Sequence, residues 1–158
     1  MIRALFMDVD GTLTNGKIYI GEKGEMFKSF NIKDGYGISV LLKRNNITPI
    51  VLTGRVSKIT ENRCEELGID HIYQGVNDKL SILIKVIMEL SLSIEEVAFI
   101  GDDDNDLECM DYVYNGHGII GCPNNSSKGV LNHPSIFRCK NNGGEGAVRE
   151  FIEHFLNC

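Results

Sequence analysis

Short apolar runs alternate along the chain with longer segments in which apolar residues recur every three or four positions. The short runs end at polar or glycine-rich residues, and they occupy positions 4–7, 49–52, 71–73, 97–100 and 118–120. Runs that are apolar on successive residues are typical of strands covered on both faces. The longer segments predict helices over residues 36–44, 57–67, 79–90, 105–113 and 146–156. This alternation predicts an α/β fold, a Rossmann-like, doubly wound parallel sheet with helices on both sides.

One segment, residues 17–30, interrupts the alternation. Two short stretches, 17–20 and 25–30, flank the tetrapeptide Gly-Glu-Lys-Gly. This pattern predicts a β-hairpin insertion with a four-residue turn. Ile18, Ile20 and Phe27 would be exposed on an isolated hairpin, which favours association with other chains.

Four polar features come directly after predicted strands or begin predicted helices. They are Asp8 with Asp10, the tripeptide Thr53-Gly54-Arg55, Lys79, and the acidic run 101–106. Ligands of open parallel sheets bind at the carboxyl ends of the strands, so we expect these features to converge on one pocket. Carboxylates at close range repel one another, and a divalent cation relieves that repulsion. Oxygen ligands suit Mg²⁺, which we expect at Asp8, Asp102 and the backbone carbonyl of Asp10.

The residue types in this pocket also predict a reaction. Asp8 is a competent nucleophile toward phosphorus and would form an aspartyl-phosphate that water hydrolyses. Asp10 points to the same side of the chain, placed to protonate the leaving oxygen and then to deprotonate the water. Lys79, the Thr53 hydroxyl and nearby backbone N–H groups would neutralise the phosphoryl oxygens. The remaining acids, Asp103 and Asp106, are expected to orient ligands or waters.

Length, charge and cysteine content exclude several classes of protein. The 158 residues fit one domain, 1–158. The net charge of -6 argues against a nucleic-acid or membrane partner. The five cysteines are scattered without a Cys-x-x-Cys pair, which is typical of a reducing cytoplasm, and we interpret them as small buried residues. No apolar stretch reaches the length of a membrane-spanning helix, so we predict a cytoplasmic protein.

The order of these motifs resembles that of the haloacid dehalogenase superfamily of phosphohydrolases. The matching residues are Asp8-Val9-Asp10-Gly11-Thr12, Thr53, Lys79, and Gly101-Asp102-Asp103 with Asp106. The resemblance implies that Asp8 is the nucleophile and Asp10 the general acid and base. It implies further that Thr53 and Lys79 bind phosphate and that Asp102 binds the metal. The intervals between motifs are too short for a cap domain, which predicts a capless fold with an open pocket.

Further segments resemble the 3-deoxy-D-manno-octulosonate (KDO) 8-phosphate phosphatases within that superfamily. These segments are 30–38, 53–55, 63–64, 73–75 with Lys79, and 143–150. The resemblance implies a phosphorylated sugar acid as substrate and a homotetramer whose hairpins meet at the centre and help cover adjacent sites. Substrate contacts are expected from a wider set of residues, namely Gly11, Thr12, Gly54, Arg55 and Arg63.

The sequence leaves the choice of substrate and two other functions open. The resemblance makes Arg55 the residue more usual in the eight-carbon enzymes, where some nine-carbon relatives have Glu, and its guanidinium suits a substrate carboxylate. Glu145, in contrast, is more usual in relatives that act on nine-carbon, sialic-type acids. A phospho-accepting signalling domain would also join acids, a Thr and a Lys around Mg²⁺, but an acid two residues after the nucleophile favours turnover. A catalytically silent subunit that supports a cytidylyltransferase is disfavoured by the intact motifs.

Overall fold

The computed structural model describes residues 1–157. The strands of this part of the chain are β1 (Ala4–Met7), β2 (Tyr19–Gly21), β3 (Gly24–Phe27), β4 (Thr48–Leu52), β5 (His71–Tyr73), β6 (Val97–Ile100), β7 (Ile119–Cys122) and β8 (Phe137–Arg138). Six of them form one sheet in the order β5-β4-β1-β6-β7-β8, and every neighbouring pair is parallel. The predicted parallel α/β sheet is therefore confirmed.

The central strand β1 is buried along its whole length, and its side chains alternate between two apolar cores. Leu5 and Met7 lie in the core on one face, and Ala4 and Phe6 lie in the core on the other. A strand covered on both faces is apolar at every position, which is why the short apolar runs in the sequence predict where the strands lie.

Helices cover both faces of the sheet. They are α1 (Ile32–Tyr36), which continues into a π-helical turn (Gly37–Leu42), α2 (Lys58–Leu67), α3 (Lys79–Glu89), α4 (Leu107–Asn115), α5 (Lys128–Leu131) and α6 (Ala147–Leu156). Short 3₁₀ turns at Ile94–Glu96 and Asp104–Asp106 precede β6 and α4. The π-helical turn, α2 and α6 pack on the face of Leu5, whereas α3, α4 and α5 pack on the face of Phe6. No helix within residues 1–157 is long and apolar enough to cross a membrane.

Several element boundaries differ from the predicted ones. The first helix begins at Ile32, four residues before the expected start, because the Asn31 side chain accepts hydrogen bonds from the backbone N–H groups of Lys33 and Asp34. The sixth strand of the sheet, β8, and helix α5 were not predicted. They have two and four residues, too few to show a periodic pattern.

The predicted hairpin is present, with a tighter turn than expected. Gly21 pairs directly with Gly24, so two residues rather than four form the turn. The Tyr19 and Phe27 rings stack with their centroids 4.2 Å apart. The described chain between Asp10 and Thr53 holds this hairpin, the first helix and β4, so no cap domain lies between these motifs.

Four of the five cysteines, Cys64, Cys109, Cys122 and Cys139, are free and buried, as predicted. Cys158 lies outside the described residues.

Candidate active site

A tight turn follows β1 and carries the candidate nucleophile. The carbonyl oxygen of Val9 accepts hydrogen bonds from the N–H groups of Thr12, Leu13 and Thr14. Gly11 has a φ of +97°, and a Cβ atom at this position would lie 2.0 Å from Oδ2 of Asp102. Only glycine allows this approach, so the turn brings the loop after β1 against the loop after β6.

The two loops form a cluster of three carboxylates. Asp8, Asp102 and Asp106 each offer one oxygen atom, and these atoms all lie within 4.8 Å of one another. Asp106 is fully buried, and its Oδ2 accepts hydrogen bonds from the backbone N–H groups of Asp102 and Asp103. Oδ1 of Asp102 accepts a hydrogen bond of 2.9 Å from the Thr12 hydroxyl. The cluster is therefore held by backbone and hydroxyl donors on both loops.

Lys79, the first residue of α3, lies between two of these carboxylates. Its Nζ atom is 2.8 Å from Oδ1 of Asp8 and 2.7 Å from Oδ1 of Asp106. Burial opposes the charge on Lys79, but the two carboxylates outweigh burial and raise the pKa of Lys79 to about 12. The ammonium group is therefore charged at neutral pH, and Asp106 has hydrogen-bond partners at both oxygens.

The acids of this cluster resist joint ionisation. Burial, followed by the charge of Asp106, raises the pKa of Asp8 to about 6. Burial, followed by the charge of Asp8, raises the pKa of Asp102 to about 8. One ammonium group does not neutralise three carboxylates, and a hard divalent cation with oxygen ligands would complete the balance. The donor set therefore fits Mg²⁺, which Asp8 and Asp102 are placed to bind.

Thr53 lies at the carboxyl end of the strand next to β1. The register pairs Met7 with Val51, so Asp8 and Thr53 follow adjacent strands at the same edge of the sheet. The backbone N–H of Thr53 donates to the carbonyl of Tyr73, and the side chain is buried. Gly54 follows, and a Cβ atom there would have only an ordinary contact of 3.5 Å.

The hairpin supplies a site residue that the sequence analysis missed. Nζ of Lys28 lies 2.5 Å from Oδ1 of Asp10 and 2.8 Å from Oε1 of Glu25. Nε of Arg55 lies 3.8 Å from Oδ2 of Asp10, so two cations face the predicted acid–base residue. The signal available in the sequence was a lysine two residues before the end of the hairpin segment, and alone it points to an ordinary solvated side chain.

Two predicted site residues have side chains that make local contacts. The Arg63 guanidinium pairs with Glu66 at 2.7 Å and lies over the Phe30 ring, and its predicted contact with substrate stays a prediction. Asp103 is exposed, and its carboxylate accepts a hydrogen bond from the N–H of Asp104. Asp103 therefore caps the turn that leads into α4, and the contacts of its side chain are local.

The glycine-rich loop near the C-terminus supports the turn after β1. A Cβ atom on Gly143 would lie 1.8 Å from the carbonyl oxygen of Gly11, and the N–H of Gly144 donates to the carbonyl of Thr12. The Asn125 side chain in turn accepts a hydrogen bond from the N–H of Gly143. This loop and the loop of Asn125 therefore hold the turn of the candidate nucleophile in place.

Comparison with known proteins identifies the family. No protein-family model matches the sequence. The 3-deoxy-D-manno-octulosonate 8-phosphate phosphatase of Escherichia coli K12 is 38% identical over 155 residues, which cover 98% of this chain and 79% of the relative. The chain belongs to the KDO 8-phosphate phosphatase family.

Solved structures agree with this membership. The KDO 8-phosphate phosphatase of Yersinia pestis has a TM-score of 0.90 and 38% identity, over 99% of this chain and 81% of the other. The enzyme of Moraxella catarrhalis, solved with magnesium, phosphate and KDO, has a TM-score of 0.89 and 35% identity, over 99% and 86%. A haloacid dehalogenase superfamily hydrolase of Legionella pneumophila has a TM-score of 0.90 and 35% identity, over 99% and 82%. Both predicted resemblances are confirmed, and the chain is a phosphatase rather than a signalling domain.

Proposed function

We propose that this chain hydrolyses KDO 8-phosphate to KDO and phosphate with Mg²⁺ as cofactor. The observation that carries the proposal is the buried group of Asp8, Lys79 and Asp106, in which Lys79 lies 2.8 Å from the candidate nucleophile. The substrate class comes from the family, because the similar enzymes of Escherichia coli and Yersinia pestis are named for KDO 8-phosphate. Arg55, which is 45% exposed beside Asp10, supplies a guanidinium group suited to the sugar carboxylate.

The proposed reaction has two steps. Oδ of Asp8 attacks phosphorus while Asp10 gives its proton to the leaving oxygen of the sugar, and an aspartyl-phosphate and free KDO result. Asp10, now a carboxylate, removes a proton from water as that water attacks the phosphorus, which releases phosphate and restores Asp8. Lys79 and the Thr53 hydroxyl neutralise the oxygens of the transferred group. Asp8, Asp102 and the backbone carbonyl of Asp10 would hold Mg²⁺, which would supply further positive charge.

The other predicted site residues have supporting roles in this proposal. Asp106 orients Lys79 through its buried ion pair, and Thr12 orients Asp102 through its hydroxyl. Gly11 lets the loop after β1 approach Asp102, and the backbone N–H of Gly54 is proposed to donate to the phosphate. Glu145, the residue that favoured nine-carbon acids, accepts a hydrogen bond from Asn142 of its own loop.

A panel of phosphorylated sugar acids tests the proposal. With Mg²⁺, we expect the highest kcat/KM for KDO 8-phosphate, and we expect Asp8→Asn to abolish phosphate release from every substrate while the protein stays folded. A preference for nine-carbon acid phosphates would overturn the substrate assignment and leave the mechanism intact. Normal turnover by Asp8→Asn would overturn the mechanism itself.

The proposed biological unit is a cytoplasmic homotetramer of one-domain chains, 1–158, with the hairpin as a flap. The support is a group of exposed apolar side chains on the hairpin, which are Ile18, Ile20, Met26 and Phe27. Light scattering after gel filtration tests this. Ile20→Lys is expected to lower the molecular mass, whereas Met88→Lys, which changes an exposed residue of α3, is expected to leave it unchanged. A monomeric parent protein would contradict the proposal.

A further inference from the structure

We propose that Lys28 positions the carboxylate of Asp10 for proton transfer and that Glu25 holds Lys28 in place. The inference rests on the proposed acid–base role of Asp10. It assigns a function to two hairpin residues that belong to none of the motifs found in the sequence.

The contacts of Lys28 are those of an anchored side chain. Its ammonium group lies between Oδ1 of Asp10, at 2.5 Å, and Oε1 of Glu25, at 2.8 Å. Only 2% of the Lys28 side chain is exposed, although the residue lies at the edge of a solvated hairpin. Charge-assisted hydrogen bonds of this length fix geometry more strongly than neutral ones.

Glu25 is itself fixed from a second direction. One of its oxygens accepts a hydrogen bond from the Ser57 hydroxyl, which belongs to the residue that caps the N-terminus of α2. The Arg55 guanidinium lies 3.9 Å from the other oxygen. The chain of contacts therefore runs from the loop after β4, through the hairpin, to the loop after β1.

The hairpin end that carries Lys28 is also tied to the turn of Asp10. Thr14 and Phe30 form an isolated antiparallel bridge two residues beyond Lys28. A lysine at the free tip would lose much side-chain entropy on reaching Asp10, whereas one at this anchored end needs little further ordering. A misplaced general acid loses a large part of its catalytic effect. Fixing the orientation of the Asp10 carboxylate therefore increases the rate of the step in which it transfers a proton.

A positioning role and a purely structural role predict different kinetics. The alcohol of a sugar phosphate is a poor leaving group and needs a proton from Asp10, whereas p-nitrophenolate leaves without one. Disturbing Asp10 therefore slows the first substrate selectively, since general acid catalysis contributes about 10²–10⁴-fold. Weakening the fold or the metal site slows both substrates alike.

The experiment compares kcat/KM of variants on KDO 8-phosphate and on p-nitrophenyl phosphate, both with saturating Mg²⁺. We expect Lys28→Met to lose about 100-fold on the sugar phosphate and less than about tenfold on the aryl phosphate. Lys28→Arg should recover part of the loss because it keeps the charge. Lys23→Met, the same change at an exposed residue of the hairpin turn, is the matched control and should leave both values unchanged.

Glu25→Gln provides a second test if Lys28→Met folds poorly, because it keeps the side-chain shape and removes only the charge that holds Lys28. It should show the same selectivity with a smaller loss. Equal losses on both substrates, or no loss, in folded variants would overturn the positioning role alone. A wild-type protein that hydrolyses neither substrate would overturn the proposed function, and this inference with it.

Discussion

Replacing Lys79 by methionine is expected to destabilise the protein more than any surface lysine substitution. Methionine keeps the length of the side chain but removes the ammonium group from between Asp8 and Asp106. The side chains of these two acids are 9% and 0% exposed, so water cannot replace the lost charge. Breaking a buried ion pair from one side leaves an uncompensated carboxylate, and that costs about 3–5 kcal/mol.

The pKa of Lys79 gives a second, lower value for the stabilisation that the two carboxylates provide. Its rise from 10.5 to about 12 shows that the folded state favours the charged lysine. The rise corresponds to about 2 kcal/mol of stabilisation, since a change of one pKa unit is worth about 1.4 kcal/mol. Because the folded-state pKa is raised, this stabilisation is complete below pH 10.5 and is lost only as the pH rises through about 12. The full effect is therefore present at pH 8.

Urea unfolding at pH 8, with the metal removed by chelation, measures the loss in the free energy of unfolding. In a thermal unfolding experiment, a loss of about 3–5 kcal/mol lowers the Tm of a chain of this size by about 6–20 °C. Lys85→Met is the matched control, because Lys85 lies on the same helix and pairs with Glu89 at 3.7 Å on the surface. Such a pair contributes about 0–1 kcal/mol.

A second substitution tests whether the unpaired carboxylate of Asp106 causes the loss of stability. Asp106→Asn in the Lys79→Met protein removes that charge and keeps an oxygen for the backbone donors, so it should restore at least about 1 kcal/mol. At pH 5 the deficit should shrink, because Asp8, whose pKa is about 6, then takes a proton. A Lys79→Met protein within about 1 kcal/mol of wild type at pH 8 would refute the reasoning. So would a double variant less stable than the single one.

Three further predictions follow from the site and its surroundings. In the metal-free protein, the raised pKa values of Asp8 and Asp102, about 6 and about 8, favour the protonated acids. Their contribution to stability is complete below pH 3.8 and is lost as the pH rises through those values, so Mg²⁺ should raise Tm more at pH 8.5 than at pH 6. An equal rise at both pH values would contradict this. Gly11→Ala should abolish Mg²⁺ binding in calorimetry because its Cβ would lie 2.0 Å from Asp102, whereas Gly24→Ala, also at positive φ but in open space, should bind normally. Asp34→Asn should be more stable than wild type at pH 8 by about 1–3 kcal/mol, because burial raises the pKa of Asp34 to about 6 and penalises its charge. That advantage should disappear at pH 4, and a denaturation series that shows a constant difference would disprove the assignment.

The pattern of the chain was sufficient for the sheet and for the centre of the site. Strands β1, β5 and β6 begin and end where the apolar runs predict, because a strand covered on both faces leaves no polar position inside it. The carboxyl ends of parallel strands share one edge, so the positions of Asp8 and Asp102 directly after strands were enough to place both at that edge. Lys79 reached the same edge because it begins the helix after β5.

The short elements could not be predicted from their own residues. Strand β8 exists because it pairs with β7, and Arg138 within it bonds to the Asn124 side chain. Helix α5 is four residues long and is capped by Ser127. Elements of this size are stabilised by neighbours rather than by internal periodicity, so their signal lies in the tertiary contacts.

The sequence alone was enough to name the candidate residues of the site, whereas their mutual contacts came from the tertiary structure. That structure paired Lys28 with Asp10 and Arg63 with Glu66. Both outcomes depend on the direction in which a side chain leaves its backbone and on which loop packs beside it. Residue type and spacing do not encode that direction for long, flexible cations, because packing selects among their many rotamers only after the fold has formed.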